Sequence, residues 1–471
     1  MLSNGWLIAL GLVVLYVLFL VWLVQTDRMK KWNLSLMLGF ALMVRTQRGK
    51  ATIETIARPK RFWNAFGDAG TVLTLIGMVA MTLLFALTLV VSLTPNTGVE
   101  PLAASEILVI PGVNPFVPLW YGLIALIITL VVHEGGHGIL ARANGMRVKS
   151  LGLLVAVVPI GAFVEPDEDD LKAAPRRRRL RVFAAGPAVN LTVAALFLIG
   201  FVASVAAADP VEGVPLTAVS RDLPAHQAGL EPGDVLVSID GVLMPDAAAF
   251  QDFMAGRSPG ERVVIVDRDG VSHDVALASR WDSLDDTQRE AVVNEDEAAM
   301  ATCRELLEPD PATGGECAER FQQQAILGIS VFRVGFIQSV LTHPVSSLAN
   351  FGLMVSLPIG EVRDAPYLSV YLPSFYEAPW GGDLFWPMAT LLFWIFWINL
   401  MVGLTNILPM LPLDGGHVFR DVVGGVLERL RPTMDPARRD RVVGRTAGVV
   451  SLVILGAFIL QIIGPRLVAG L

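Results

Sequence analysis

Val132-His133-Glu134-Gly135-Gly136-His137 closes an uncharged run that begins at Val117, so a metal-ligand spacing stands at the end of what reads as a membrane-spanning helix. Histidines four apart share one face of an α-helix, and the Glu between them reaches a water on the same metal, as in zinc hydrolases. Two imidazoles and a carboxylate in a bilayer are costly unless they hold an ion or face a wet cavity. The chain has six His, at 133, 137, 226, 273, 343 and 417, and two of them form this pair.

Composition agrees with a membrane setting. The 471 residues are 53% hydrophobic with mean hydropathy +0.57, too apolar for an ordinary soluble enzyme and long enough for several spans plus one soluble module. Lys and Arg concentrate in residues 25–68, 142–181 and 418–445, which hold 25 of the 36. The positive-inside rule makes those stretches cytoplasmic, including the run Arg176 to Arg179, which reads as a topology determinant. Residues 209–383 behave oppositely, with 28 of the 44 acidic residues and no Lys. The net charge of −8 gives no support for nucleic-acid binding.

Uncharged runs at 5–24, 70–93, 117 through the His motif, 182–208, 384–408 and 446–463 predict about six transmembrane helices with both termini outside. Basic residues follow the first run and none precedes it, which favours an anchor over a cleavable signal. Residues 34–44 are too short to cross, and 148–164 are broken by Gly152, Pro159 and Gly161; both read as interfacial or re-entrant segments. The run 336–360 is diluted by Gln338, His343 and Asn350 and is read as not crossing. At about 1.5 Å per residue from Val117, His133 lies roughly 24 Å into a core of about 30 Å, on the cytoplasmic side.

A catalytic zinc needs a third protein ligand. Asp414 is the best candidate, in Asn406-Ile407-Leu408-Pro409-Met410-Leu411-Pro412-Leu413-Asp414-Gly415-Gly416 at the inner end of another apolar run. The prolines open the backbone there, and the glycines permit the close approach that a carboxylate turned toward a neighbouring helix requires. His417 is read as a local hydrogen-bonding or interfacial residue, because a catalytic site keeps one position open.

The motif His133-Glu134-x-x-His137, the segment Asn406 to Gly415, and Ala185-Gly186-Pro187-Ala188-Val189-Asn190 together resemble the site-2 protease family of intramembrane zinc metalloproteases, peptidase family M50. The resemblance implies one catalytic Zn2+ held by His133, His137 and Asp414, with Glu134 as general base. It implies substrate-binding or carbonyl-polarising roles for Asn190 and Asn406. The implied activity is hydrolysis of peptide bonds in or near transmembrane segments of membrane-protein substrates, as in regulated intramembrane proteolysis, in a multi-pass cell-membrane protein with its active site near the cytoplasmic side. An inactive PDZ scaffold is the alternative; it is disfavoured because all four site residues are present. A metal transporter would show repeated halves, which the spans lack.

Between the spans, residues 228–241 read as a turn, a strand with Val235, Val237 and Ile239 on one face, and an Asp-Gly turn. Asp246 caps a helix that Gly256 ends, and strands follow at 263–267 and 272–277. This resembles a PDZ domain, which implies an extracytoplasmic α+β module that binds a peptide or substrate ectodomain by strand addition, with a carboxylate loop near 213–216, or that acts as a size filter. Residues 279–325 are an acidic insertion with the only cysteines, Cys303 and Cys317, a disulfide candidate on the outer side. The expected organisation is therefore residues 1–116, an N-terminal membrane region with two helices and a basic loop; 117–208, the first half of a protease core; 209–335, the PDZ-like domain; 336–383, an interfacial amphipathic linker; and 384–471, the second half of the core.

Overall fold

The computed structural model describes residues 4–94, 111–363 and 367–468, apart from residues 27, 33, 38, 40, 48, 157, 308–309 and 332–333 within them. The chain divides into two compact units, Met1–Ile199 with Leu391–Leu471, and Gly200–Thr390.

The first unit is built on α1 (Asn4–Gln25), α2 (Lys60–Ser92), α3 (Leu119–Ala143), α4 (Arg176–Phe183), α5 (Ala185–Ala206), α6 (Phe385–Ile407), α7 (Asp414–Leu430) and α8 (Pro436–Val468). Among the described residues, five helices are long and apolar enough to cross a bilayer: α2, α3, α5, α6 and α8. The sixth anticipated span, 5–24, falls in α1, where the side chains of most of the first residues lie outside the described set and Val14–Gln25 forms a shorter apolar helix. Outward faces are apolar: Ile76, Val79, Leu83 and Val90 on α2 and Leu452 and Val453 on α8 are all exposed. An apolar surface of that extent is stable against hydrocarbon and not against water.

Small residues bring the helices together. A Cβ added at Gly70 of α2 would stand 2.7 Å from the Ala188 Cβ of α5, and one at Gly136 of α3 would stand 2.9 Å from Val189 Cγ2 and 3.2 Å from the Ala185 carbonyl. At the basic end, Arg181 grips Asp68 with two bonds of 2.7 Å, and Arg179 grips Asp421 with two of 2.9 Å. The arginine run read as a topology determinant thus also ties α4 to α2 and α7, with Arg177 on Asp68 and Arg176 on Glu428.

The two apolar stretches too short or too broken to cross form one antiparallel sheet, in the order β1 (Leu34–Met37), β2 (Ala41–Thr46), β3 (Val148–Ala156), β4 (Val158–Pro166). Gly152 sits where a Cβ would strike the Val44 carbonyl and the Phe163 ring, so its lack of a side chain permits the β2–β3 pairing. Strand β4 lies at the end of the sheet beside α3: a Cβ at Gly138 would stand 3.0 Å from Val164 Cγ1.

The second unit holds an antiparallel sheet of β5 (Val214–Val219), β6 (Val235–Ile239), β7 (Val242–Leu243), β8 (Arg262–Asp267), β9 (Ser272–Ala276) and β10 (Ile329–Val331), ordered β9-β8-β6-β5-β10 with β7 on β6. Asp240 (φ 52°) and Gly241 (φ 78°) make the tight turn from β6 to β7. Strand β6 departs from simple alternation: Val235, Leu236 and Ile239 are buried and Val237 is not, because the pairing with β8 shifts register between Leu236 and Ser238. Asp246 caps the helix Ala247–Ala255, its carboxylate accepting from Ala249 N–H at 2.9 Å.

The insertion is helical, at Asp286–Val293, Glu297–Leu306 and Gly314–Gln323, around a small core of Val292, Met300, Leu307 and Phe321 closed by a Cys303–Cys317 disulfide. The stretch 336–383 includes the end of Val334–Thr342 together with Leu348–Arg363 and a turn at Tyr367–Tyr371; neither helix is long enough to span. It packs within the second unit, where the Tyr371 hydroxyl donates to the Thr217 carbonyl. A groove of about 710 Å³ lies between the Ala247–Ala255 helix and β10, lined by Phe250, Met254, Leu327 and Ile329 with Arg257 and Arg280. Residues 213–216 are outside its lining; Val214 and Leu216 are fully buried in the sheet core.

Candidate metal centre

Helical spacing on α3 aims His133 and His137 at the same point, with Nε2 atoms 3.3 Å apart. Asp414 is the first residue of α7 and brings Oδ2 to 3.1 Å from His133 Nε2 and 3.3 Å from His137 Nε2. The chain can turn there because Gly415 and Gly416 lie against the backbone of Ile407–Leu408 and Met410–Leu411, where any Cβ would collide. Ser451 of α8 steadies the loop, its hydroxyl accepting from Leu411 N–H at 2.9 Å.

The imidazole geometry decides what the cluster can hold. His137 Nδ1–H donates to the Val182 carbonyl at 2.7 Å, which leaves the lone pair on Nε2 facing the cluster. Asp414 Oδ2 is buried and has no hydrogen-bond donor. Two imidazole nitrogens and a carboxylate oxygen packed this closely need a proton or a metal cation among them, and they are a zinc-type donor set. A Cβ at Gly186 would stand 2.5 Å from His137 Nε2 and 2.6 Å from His133 Nε2, so that glycine keeps the space over the donors clear.

Glu134 is adjacent without joining the three. Its Oε2 accepts the Val164 N–H of β4 at 2.9 Å, so an edge of the sheet that has no partner strand among the described residues faces the carboxylate. Asn190 is fully buried, with its amide nitrogen 3.0 Å from His133 Nδ1. Asn406 donates its amide to the Val402 carbonyl of its own helix at 3.1 Å. His417 stacks on Phe183, ring centroids 5.0 Å apart, outside the donor group. The Val182 carbonyl, the Val164 N–H and the Gly186 cradle went unread in the sequence, since backbone groups leave no mark in it and a glycine shows its purpose only against its neighbours.

The chain is similar to known proteins. An uncharacterized protein of Methanocaldococcus jannaschii is 29% identical over 252 residues, 51% of this chain and 63% of its own length. The membrane-bound transcription factor site-2 protease homolog of Arabidopsis thaliana is 35% identical over 130 residues, 26% of this chain and 24% of its own. The zinc metalloprotease Rip1 of Mycobacterium tuberculosis is 25% identical over 370 residues, 67% of this chain and 86% of its own. The chain therefore spans less than two thirds of the first two relatives and most of the third. Residues 121–455, which carry the histidine pair, the Gly186 cradle and Asp414, match the profile of peptidase family M50, and the chain belongs to that family.

Proposed function

We propose that the protein is an intramembrane zinc endopeptidase that cleaves within or near transmembrane segments of other membrane proteins, as in regulated intramembrane proteolysis. The observation that carries the reading is the convergence of His133 Nε2, His137 Nε2 and Asp414 Oδ2 beside a carboxylate held by a strand edge. Zinc at His133, His137 and Asp414 would supply a Lewis acid and an acidified water. Glu134 would serve as the general base and then the general acid, and the Val164 N–H holds its carboxylate in place for that role. A helical substrate must unwind to expose its carbonyl, and the free edge of β4 offers an extended segment backbone partners directly beside Glu134.

The proposed topology has six spans, with the metal site toward the cytoplasm, the acidic second unit outside, and residues 336–383 lying along the interface. The second unit is proposed to be PDZ-like, admitting a peptide or ectodomain of the substrate at its groove. In support, the groove wall mixes apolar side chains with polar ones and carries two arginines and no carboxylate, in a region where acids outnumber bases. Relatives named zinc metalloprotease favour an active enzyme over an inactive scaffold.

The test is zinc content and cleavage of a model transmembrane substrate by the detergent-solubilised full chain, wild type beside Glu134→Gln. About one zinc per chain in both, with cleavage in the wild type alone, is the expected result. Cleavage by Glu134→Gln would remove the assigned base.

A further inference from the structure

We infer that Asn190 is a positioning residue that fixes the ring of His133 as a metal donor; this rests on the metal-centre reading above. Val182, Gly186 and Asn190 are spaced four apart, and backbone bonds from Ala184 N to the Leu180 carbonyl and from Ala188 N to the Ala184 carbonyl carry helical geometry through the α4–α5 junction. The three therefore fall on one stripe, and that stripe faces the donors of α3. Val182 takes the Nδ1 proton of His137, Gly186 leaves the gap, and Asn190 meets Nδ1 of His133.

A neutral imidazole that offers Nε2 to a cation carries its proton on Nδ1, so Nδ1 is a donor and needs an acceptor. The amide nitrogen of Asn190 at 3.0 Å cannot accept, while its Oδ1 is buried without a partner. A half-turn of the amide exchanges the two atoms at no cost in shape and gives His133 Nδ1–H the unused oxygen. Asn190 is 0% exposed and meets the His133 ring, so it is placed to act through that ring. Without that acceptor the ring is free to move its proton to Nε2, and the donor is lost.

The experiment is competition titration of the full chain in detergent with Zn2+ against a chelator, together with the visible spectrum of the Co2+-loaded protein, for wild type, Asn190→Leu and Asn190→Asp. Leu supplies no acceptor and Asp supplies one without a donor. The expected result is a loss of about 10- to 100-fold in affinity and an altered Co2+ spectrum for Asn190→Leu, with Asn190→Asp staying within a few-fold of wild type. Asn190→Asp losing metal as Asn190→Leu does would overturn the acceptor role, even if Asn190→Leu proves unstable. Wild-type affinity and spectrum in Asn190→Leu would overturn the inference and leave the metal-centre reading standing; no uptake by the wild type would sink both.

Discussion

The two units are built inside out with respect to each other. In the membrane unit Ile76 and Leu83 face outward, while Thr129, His133 and Asn190 are buried. In the α+β unit Val214, Leu216 and Leu236 are wholly buried and most carboxylates lie on the surface. Apolar burial holds the second unit, and that contribution is non-directional and scales with the area removed from water. Around the metal donors the membrane unit is held by matched polar atoms and missing side chains, where an ångström decides the outcome.

One methyl group tests the contrast. Gly186→Ala puts a carbon 2.5 Å from His137 Nε2, whereas Gly256→Ala in the second unit meets nothing nearer than the Phe253 carbonyl at 3.8 Å. Metal content should fall about tenfold or more in Gly186→Ala with the fold retained, and Gly256→Ala should match wild type in metal and stability. Equal metal content in the two variants would break the contrast. Asp414→Asn sharpens it, since a carboxamide keeps the volume and loses the charge; retained metal would exclude Asp414 as a ligand.

A smaller effect is expected at the insertion. Its core is a handful of side chains, so the Cys303–Cys317 cross-link, 14 residues apart, contributes about 3 kcal/mol by restricting the unfolded segment. Replacing both cysteines with Ser should raise hydrogen exchange across 286–323 in the full chain and leave metal content unchanged. Exchange unaltered there would mean that the small core suffices.

Legibility in the sequence followed the same division. The closeness of His133, Glu134, His137 and Asp414 was readable because helical spacing and the Pro-Gly context carry local information. The sheet β1–β4 was not: its halves lie about a hundred residues apart, and nothing within 34–44 or 148–164 says that they pair. Asn190 and Asn406 looked alike as motif residues, yet one lies against a histidine and the other bonds its own helix, a distinction set by rotamer and packing. In the second unit the strands were legible by alternation and turns, while the bulge in β6 that turns Leu236 inward and Val237 away was invisible without the partner strand.

The mildest effect belongs to an enclosed polar pair in the α+β unit, His273 and Asp267. His273 Nδ1 lies 2.9 Å from the Ala228 carbonyl and Nε2 lies 3.0 Å from Asp267, two acceptors that favour the doubly protonated, cationic ring. Burial opposes that charge, but the bonds to Asp267 and Ala228 and the Asp267 charge outweigh it and raise the His273 pKa. Burial likewise pushes Asp267 up, and the bonds from His273 and the Val271 N–H outweigh it and hold the carboxyl below its usual range. A raised histidine stabilises fully below its unfolded value of about 6.5, and that contribution fades as pH rises through the folded value. A lowered carboxyl stabilises above about pH 4, and its share fades as pH falls through the folded value. The pair is thus strongest between about pH 4 and 6.5, where an ionised hydrogen bond contributes about 1.5 kcal/mol. Protection factors of β8 and β9 amides in the full chain should be higher at pH 5.5 than at pH 8, and His273→Gln should erase the difference. Were the difference to persist in that variant, the pH response would lie elsewhere in the sheet and the enclosed pair would be ordinary packing.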